Sequence, residues 1–536
     1  MASDADVPKR ESTPTASLSS IPQKRALDEV HIPAVSSPLN PDSHTPDDAS
    51  QSNRSKPARV KKESFKKRDA RGGDSVPPTP DSKAARERKV AANLGPLRYK
   101  LAPPKSSDFE APRGPVLTVH SEIVGSDGKT VEFYETSDHV ANKKNFRYTH
   151  CIADPLFPTT IYYRQTEPEP YGPRMSHEDA AAHVYFDSTA LQVTTDKGFR
   201  LTRANVAVRE GRWFWECKIT QGIKPAADGQ DKLQLGKHVR VGWARRESSL
   251  DAPVGFDCYS YGVRDVAGEK VYMSRPKEFF PAGEGIREGD VIGLEIQLPS
   301  ERLHRKIMEG NFHPLADAAD DDTTPTAAAA NIVRDRVPIR FKAHTYFERI
   351  EYHTTRELED LMNPSMSASS TASSDPPHPN HASPALRTLP NSYIKIYKNG
   401  KLMGTAFEDL LGFLPPASKP MPQVGAREGM DDGMLGYYPA ISIFRGGAAE
   451  ANFGPNFAYP PPDYDPSSTT QPSCKRLRGI YERYQEQIAE DIVYDIIDEV
   501  DFWMQDAGDE KGSSQKNTPQ SLAPAREEIK ELMEDD

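Results

Sequence analysis

The sequence predicts a mainly β protein: an antiparallel β-sandwich with loop insertions, preceded by a disordered N-terminal arm and followed by a C-terminal amphipathic helix. Three observations predict it. The runs VYFDSTALQVTT, GRWFWECKIT, HVRVGWARR and GDVIGLEIQL alternate apolar with polar residues and stop at Gly, Pro, Asp or Asn, the period-two signature of short half-buried strands. YIKIYKNGKLMGTAF sets Asn399 and Gly400 between two alternating runs, a hairpin signal because both turn positions need positive φ. Helical periodicity is almost absent among these runs and becomes strong only in GIYERYQEQIAEDIVYDIIDEVDFW, beyond residue 478.

In chain order, residues 1–93 hold a single aromatic, Phe65, among Ser, Pro, Thr, Asp and Lys, too little apolar surface to offset ordering entropy. Within this arm Arg54 to Arg71 collects nine basic residues against two acidic ones. Lys61, Lys62, Lys66, Lys67 and Arg68, with Arg86, Arg88 and Lys89 further on, suit a nuclear import signal or DNA phosphates, whose counterions such a run releases. A solvated charged tail is the alternative. Residues 94–175 mix strand-like stretches (VLTVHSEIV, TVEFYE) with loop. GSDGKT at Gly125–Thr130 fails as a phosphate loop, since position 123 is Ile where that motif needs its first Gly, and reads as a turn.

The sandwich is expected over 176–460, with Trp213 and Trp215 on one strand face. Low-complexity insertions are expected near 310–330, 363–390 and 417–433, as surface loops that a sandwich edge tolerates at about 0.6 kcal/mol per doubling of length. A linker follows at 461–478, the amphipathic helix at 479–504 and a disordered acidic tail at 505–536. In the helix Ala489, Val493, Ile496, Val500 and Trp503 are spaced four and three apart, with Ile492 and Ile497 widening the stripe. Such a face serves a partner helix or packs on its own sandwich.

Composition excludes several classes. A net charge of -11, 48 Pro and a mean hydropathy of -0.70 say that much of the 536-residue chain never enters a core. Cys151, Cys217, Cys258 and Cys474 show no CxxC spacing, so neither a zinc finger nor a disulfide framework is supported. No apolar run approaches the roughly 20 residues of a membrane span, and a soluble, intracellular, non-membrane protein is expected. No HExxH, GxSxG or complete nucleotide loop appears, and His177 and His183, expected in a loop entering the first strand, form no catalytic motif. A binding module without cofactor or metal is expected, not an enzyme.

GRWFWECKI, RVGW, APVGFDCYSYG, EGDVIG, IYKNGKLMGTAF, PAISIF and NFGPNF, in that order, resemble the SPRY domain, making the expected sandwich SPRY-type. More narrowly they resemble the SPRY subunit of COMPASS-type histone H3 lysine-4 methyltransferase complexes, the absent-small-or-homeotic-two-like family, called Bre-two in fungi. The resemblance implies that Arg240, Pro253, Phe256 and Arg264 bind an acidic segment of a WD40-propeller subunit of the retinoblastoma-binding-protein-five type. Chemistry agrees, because a guanidinium fork matches carboxylate or phosphate and a flanking ring and proline offer an apolar floor; an ordinary surface ion pair is the alternative for each arginine. Phe256 stands where the family often has tyrosine.

The resemblance further implies that Ala489, Ile492, Val493, Ile496, Ile497 and Val500 enter a Dumpy-thirty-type dimer, Ala489 standing where a larger aliphatic is usual. RYKLAPP resembles the segment that touches nucleosomal DNA. The implied role is a non-catalytic nuclear scaffold that stimulates a SET-domain methyltransferase through the propeller subunit. A SPRY-type peptide-binding adaptor of a ubiquitin ligase is the alternative, although no RING, coiled coil or cullin box is visible beside the sandwich.

Overall fold

Trp213, Trp215, Cys217 and Ile219 alternate along one face of the Gly211–Gln221 strand and are all buried in the main core. This strand pairs antiparallel with Val291–Leu298 and with Ala448–Asn452, and parallel with Leu477–Gly479. It forms the centre of a ten-stranded sheet running from the Val116–Val124 edge to the Lys401–Glu408 edge. A seven-stranded sheet faces it, ordered Arg275–Lys277, Lys270–Tyr272, Ser260–Arg264, His238–Ala244, Tyr438–Phe444, Arg200–Ala204 and Met175–Ala180. Val239, Val241 and Trp243 point inward from this second sheet, and Trp243 meets Trp215 edge to face with ring centroids 6.3 Å apart. Each such aromatic buries about 150–250 Å², roughly 4–6 kcal/mol of gross transfer free energy at 25 cal/mol per Å². The architecture is therefore a mainly β, antiparallel sandwich with a C-terminal helix.

The computed structural model describes residues 99–100, 103–125, 128–137, 147–155, 163–224, 236–320, 332, 334, 336–342, 344–363, 375–422, 429–466, 476–513, 530–531 and 533–535. The expected disordered arm at 1–93, with Lys61, Lys62, Lys66, Lys67, Arg68, Arg86, Arg88 and Lys89, lies outside the described residues, as do 467–475 of the linker and 514–529 of the tail. No described helix is long and apolar enough to cross a membrane.

Asn399 and Gly400 both take positive φ, 48° and 81°. The Asn399 side chain also closes the turn onto the next strand, accepting from Val291 N at 2.8 Å and donating to Asp290 at 2.8 Å. A third, five-stranded sheet contains Tyr148–Ala153, Tyr163–Gln165, Val337–Phe341, His344–Glu348 and Met533–Asp535. Residues ahead of the sandwich thus pair with a strand pair from inside it, His150 lying opposite Tyr346 and Tyr148 opposite Glu348.

Three expectations are corrected. The stretch after Val291–Leu298 is helical: Glu301–Glu309 is capped by Ser300, which accepts from Leu303 N, and ended by Gly310 in the left-handed region. Leu303, Ile307 and Met308 bury into the main core, and Pro314–Asp320 adds a short helix inside the insertion expected near 310–330. The insertion near 363–390 is not surface loop throughout, because Ala385, Leu386 and Leu389 are buried: composition averages over a segment, whereas burial follows single apolar residues. His177 lies within the Met175–Ala180 strand, not in a loop, and is buried against the Phe186 ring at 4.6 Å.

Candidate functional site

Alternation along His238–Ala244 turns Arg240, Gly242 and Ala244 to the outer face while Val239, Val241 and Trp243 fill the core. Register then builds a row across that outer face: Leu201 opposite Ser442, Ser442 opposite Arg240, and Arg240 opposite Arg264. Two arginines 24 positions apart in sequence become cross-strand neighbours, a pairing that sheets normally avoid because like charges face each other. The guanidinium of Arg240 lies over the Phe199 ring, 4.7 Å from its centroid.

Pro253 and Phe256 come from the loop between these two strands. Val254 packs on Leu201, Ala244 and Ala440 of the outer face, and its N–H donates to Ser442 Oγ at 3.0 Å. Phe256 N donates to Pro253 O at 3.0 Å, closing a turn through Gly255 at φ 82°. A Cβ on Gly255 would stand 2.4 Å from Val271 O, so glycine is required both by φ and by space. Pinned this way, Phe256 presents a ring that is 42% exposed. Asp257 holds the loop's far end, accepting from Ser248 and Ser260 hydroxyls at 3.0 Å each.

The two arginines differ. Arg264 pairs with Glu269, whereas Arg240 has no carboxylate partner among the described residues. Burial, and then the charge of Arg264, push the Arg240 guanidinium down to about 10. A half-buried cation on an aromatic floor, with no ion pair of its own among the described residues, is an arrangement completed by an anionic group carrying some apolar surface. Phe199 and Glu269 complete the site and carry no sequence motif of their own. Glu269 lies five residues after Arg264, near enough in sequence to suggest the pair, whereas Phe199 meets Arg240 only in the folded chain.

The C-terminal helix, Ile480–Ser513, shows amphipathicity turned outward. Ile480 at its start is buried in the main core and Phe502 is buried near its end, but the buried positions between them, Arg483, Gln487, Asp491 and Asp495, are all polar. Arg483 Nε donates to Ala207 O at 2.9 Å, Asp491 pairs with Arg334, and Asp495 pairs with Arg336. The apolar positions are instead exposed: Ala489, Ile492, Val493, Ile496, Ile497, Val500 and Trp503, with Val493 at 53% and Trp503 at 66%. The alternative in which this stripe packs on the chain's own sandwich does not hold among the described residues. Among those residues, no group of three or more His, Cys, Asp or Glu is placed to hold a metal.

COMPASS component cclA of Colletotrichum higginsianum is 57% identical to the chain over 570 aligned positions that cover 100% of both. The chain belongs to the COMPASS component family. A further relative is the Set1 complex component ash2 of Schizosaccharomyces pombe, 38% identical over 79% of this chain and 55% of its own length. No family model matches the chain. A solved human SPRY domain is similar at 13% identity and a TM-score of 0.22, covering 51% of this chain and 98% of that one.

Proposed function

We propose that this COMPASS family member is a non-catalytic regulatory and scaffolding subunit of a nuclear histone H3 lysine-4 methyltransferase complex. Its relatives are named as components of COMPASS and of the Set1 complex, which supports membership of such an assembly. The observation that carries the finer reading is the pair of unsatisfied surfaces on one chain: the Arg240 row with Phe199, Pro253 and Phe256, and the outward apolar stripe of the C-terminal helix. The first suits an acidic segment of the WD40-propeller subunit, and the second a Dumpy-thirty-type helical dimer. The basic residues of the arm, from Lys61 to Lys89, and the RYKLAPP segment would contact nucleosomal DNA. S-adenosylmethionine chemistry belongs on this reading to the SET-domain methyltransferase alone.

Reconstitution tests the proposal. Methylation of histone H3 by the SET subunit with the propeller subunit and the dimer should rise on adding this chain. It should stay at the unstimulated level when Arg240→Ala replaces wild type. Methylation by this chain without the SET subunit, or equal stimulation by Arg240→Ala, would overturn the reading.

A further inference from the structure

A second arginine cluster occupies the opposite end of the same outer sheet face. Arg246, in the turn just past the end of the His238–Ala244 strand, lines a cavity of about 120 Å³ whose wall also includes Arg334, Arg336, His150, Tyr438 and Gln487. The cavity lies under the five-stranded sheet and the C-terminal helix. Its wall carboxylates are Glu167, Glu178, Asp179, Glu348 and Asp432; Asp432 takes Arg246, and Glu167 accepts from Asn205 and Tyr484. Asp179 takes a bidentate contact from Arg203 at 2.7 and 2.8 Å, together with Arg147 and with Arg349 at 3.2 Å. Glu178 accepts from Ser176 at 3.0 Å and faces His150 and Arg174 at 3.7 and 3.9 Å.

The guanidinium groups are not fully engaged. Arg246 is 1% exposed and gives only Nη1 to Asp432, at 3.1 Å; its Nε and Nη2 are buried without an acceptor. Arg336 gives Nη1 to Asp495 and keeps Nε and Nη2, and Arg334 gives Nη1 to Asp491 and keeps Nε. Buried donors left in this state are rare and costly in native proteins. Three guanidinium groups sharing one cavity make their common acceptor an anion, since a planar fork is shaped for paired oxygens. The volume of about 120 Å³ leaves room for a small oxyanion together with several waters.

We propose that this cavity is a binding site for an anionic oxygen group, phosphate-type or carboxylate, held by Arg246, Arg334 and Arg336. It is separate from the Arg240 row and does not depend on the function proposed above. Because Arg334 and Arg336 also hold Asp491 and Asp495, the bound anion sits against the seat of the C-terminal helix.

Calorimetric titration of the full chain with inorganic phosphate, and separately with acetate, at constant ionic strength in chloride buffer tests this. At least one anion should bind saturably. Arg246→Lys and Arg336→Gln should each weaken that binding at least tenfold, whereas Arg240→Ala, which removes the outer guanidinium, should retain it. Binding of phosphate alone assigns the site to a phosphoryl or free phosphate source; binding of acetate assigns it to a carboxylate side chain. Circular dichroism verifies that each variant is folded, and Arg336→Gln, nearer the surface, serves if Arg246→Lys unfolds. No saturable binding of either anion, or unchanged affinity in the folded variants, overturns the proposal.

Discussion

Arg240 is held where its surroundings work against its charge. Its folded pKa, about 10, lies below the ordinary arginine value because of burial and of Arg264. A base depressed in this way subtracts stability at all pH values below its folded pKa, and the penalty fades only as pH rises above about 10. At neutral pH the cost stands in full until an anion arrives. Arg240→Met, which keeps the stem on Phe199 but removes the charge, should therefore leave the melting temperature of the free chain equal or higher. The same change should weaken an acidic propeller-subunit peptide by about 1–3 kcal/mol, the scale of a charge-assisted hydrogen bond. Arg240→Lys should restore only part, lacking the planar fork. Calorimetric titration reads both, and wild-type affinity in Arg240→Met would place the peptide elsewhere. Gly255→Ala should destabilise by about 1–3 kcal/mol, because it combines an unfavourable φ with a Cβ against Val271 O. Chemical denaturation measures it, and peptide affinity should fall with the displaced Phe256.

The C-terminal helix separates binding from folding by face. Its stripe was legible in the spacing of Ala489, Val493, Ile496 and Val500, but spacing alone left open whether it served a partner or packed on the chain's own sandwich. Here Arg334 and Arg336 compete for the other face by pairing with Asp491 and Asp495, and ion pairing at both positions sets the rotation. Substitutions should accordingly divide. Val493→Glu or Ile496→Glu should abolish co-elution with the Dumpy-thirty-type dimer on gel filtration while leaving the melting temperature within error, since both positions are about half exposed. Burying a carboxylate in that partner's groove costs several kcal/mol. Asp495→Ala should do the reverse, destabilising the chain by about 3–5 kcal/mol as the Arg336 charge is left buried and unpaired. An unchanged denaturation midpoint in Asp495→Ala would show that the pair adds nothing to helix docking.

Across the molecule, the helix seat should respond to pH near neutrality. Burial raises the Glu167 carboxyl to about 7 against the pull of Arg174, and burial likewise raises Asp498 to about 7 against Arg336. Tyr484 of the helix donates to Glu167 at 3.3 Å. An acid whose folded pKa exceeds its unfolded one binds extra protons when folded, so its contribution is full below about pH 4.5 and is lost as pH rises through 7. Amide exchange in the helix should be slower at pH 6 than at pH 8 after correction for intrinsic rates, and Glu167→Gln should flatten the difference. A helix equally protected at both values would discount these two carboxyls. At the same scale, deleting residues 54–100 should weaken nucleosome binding and reduce its salt slope, because fewer phosphates are neutralised. A titration slope unchanged by the deletion would assign DNA contact to another part of the chain.

Periodicity and turn chemistry are local properties, and they determined the strands, the Asn399–Gly400 hairpin and the helix stripe, whereas the candidate arginines came from the resemblance to a known family. The short Glu301–Glu309 helix escaped because nine residues carry too few turns to stand out from strand-rich neighbours, although Ser300 and Gly310 mark its ends. Tertiary structure alone decided which distant groups meet. Sheet register set Arg240 beside Arg264 and laid Phe199 beneath it, and packing of Val254 on the outer face brought the Phe256 loop alongside. The Arg246 cavity draws its walls from strands before, within and after the sandwich insertions. Its electrostatics follow from burial and from pairings between residues as far apart as Arg336 and Asp495, quantities that exist only once the chain has closed on itself.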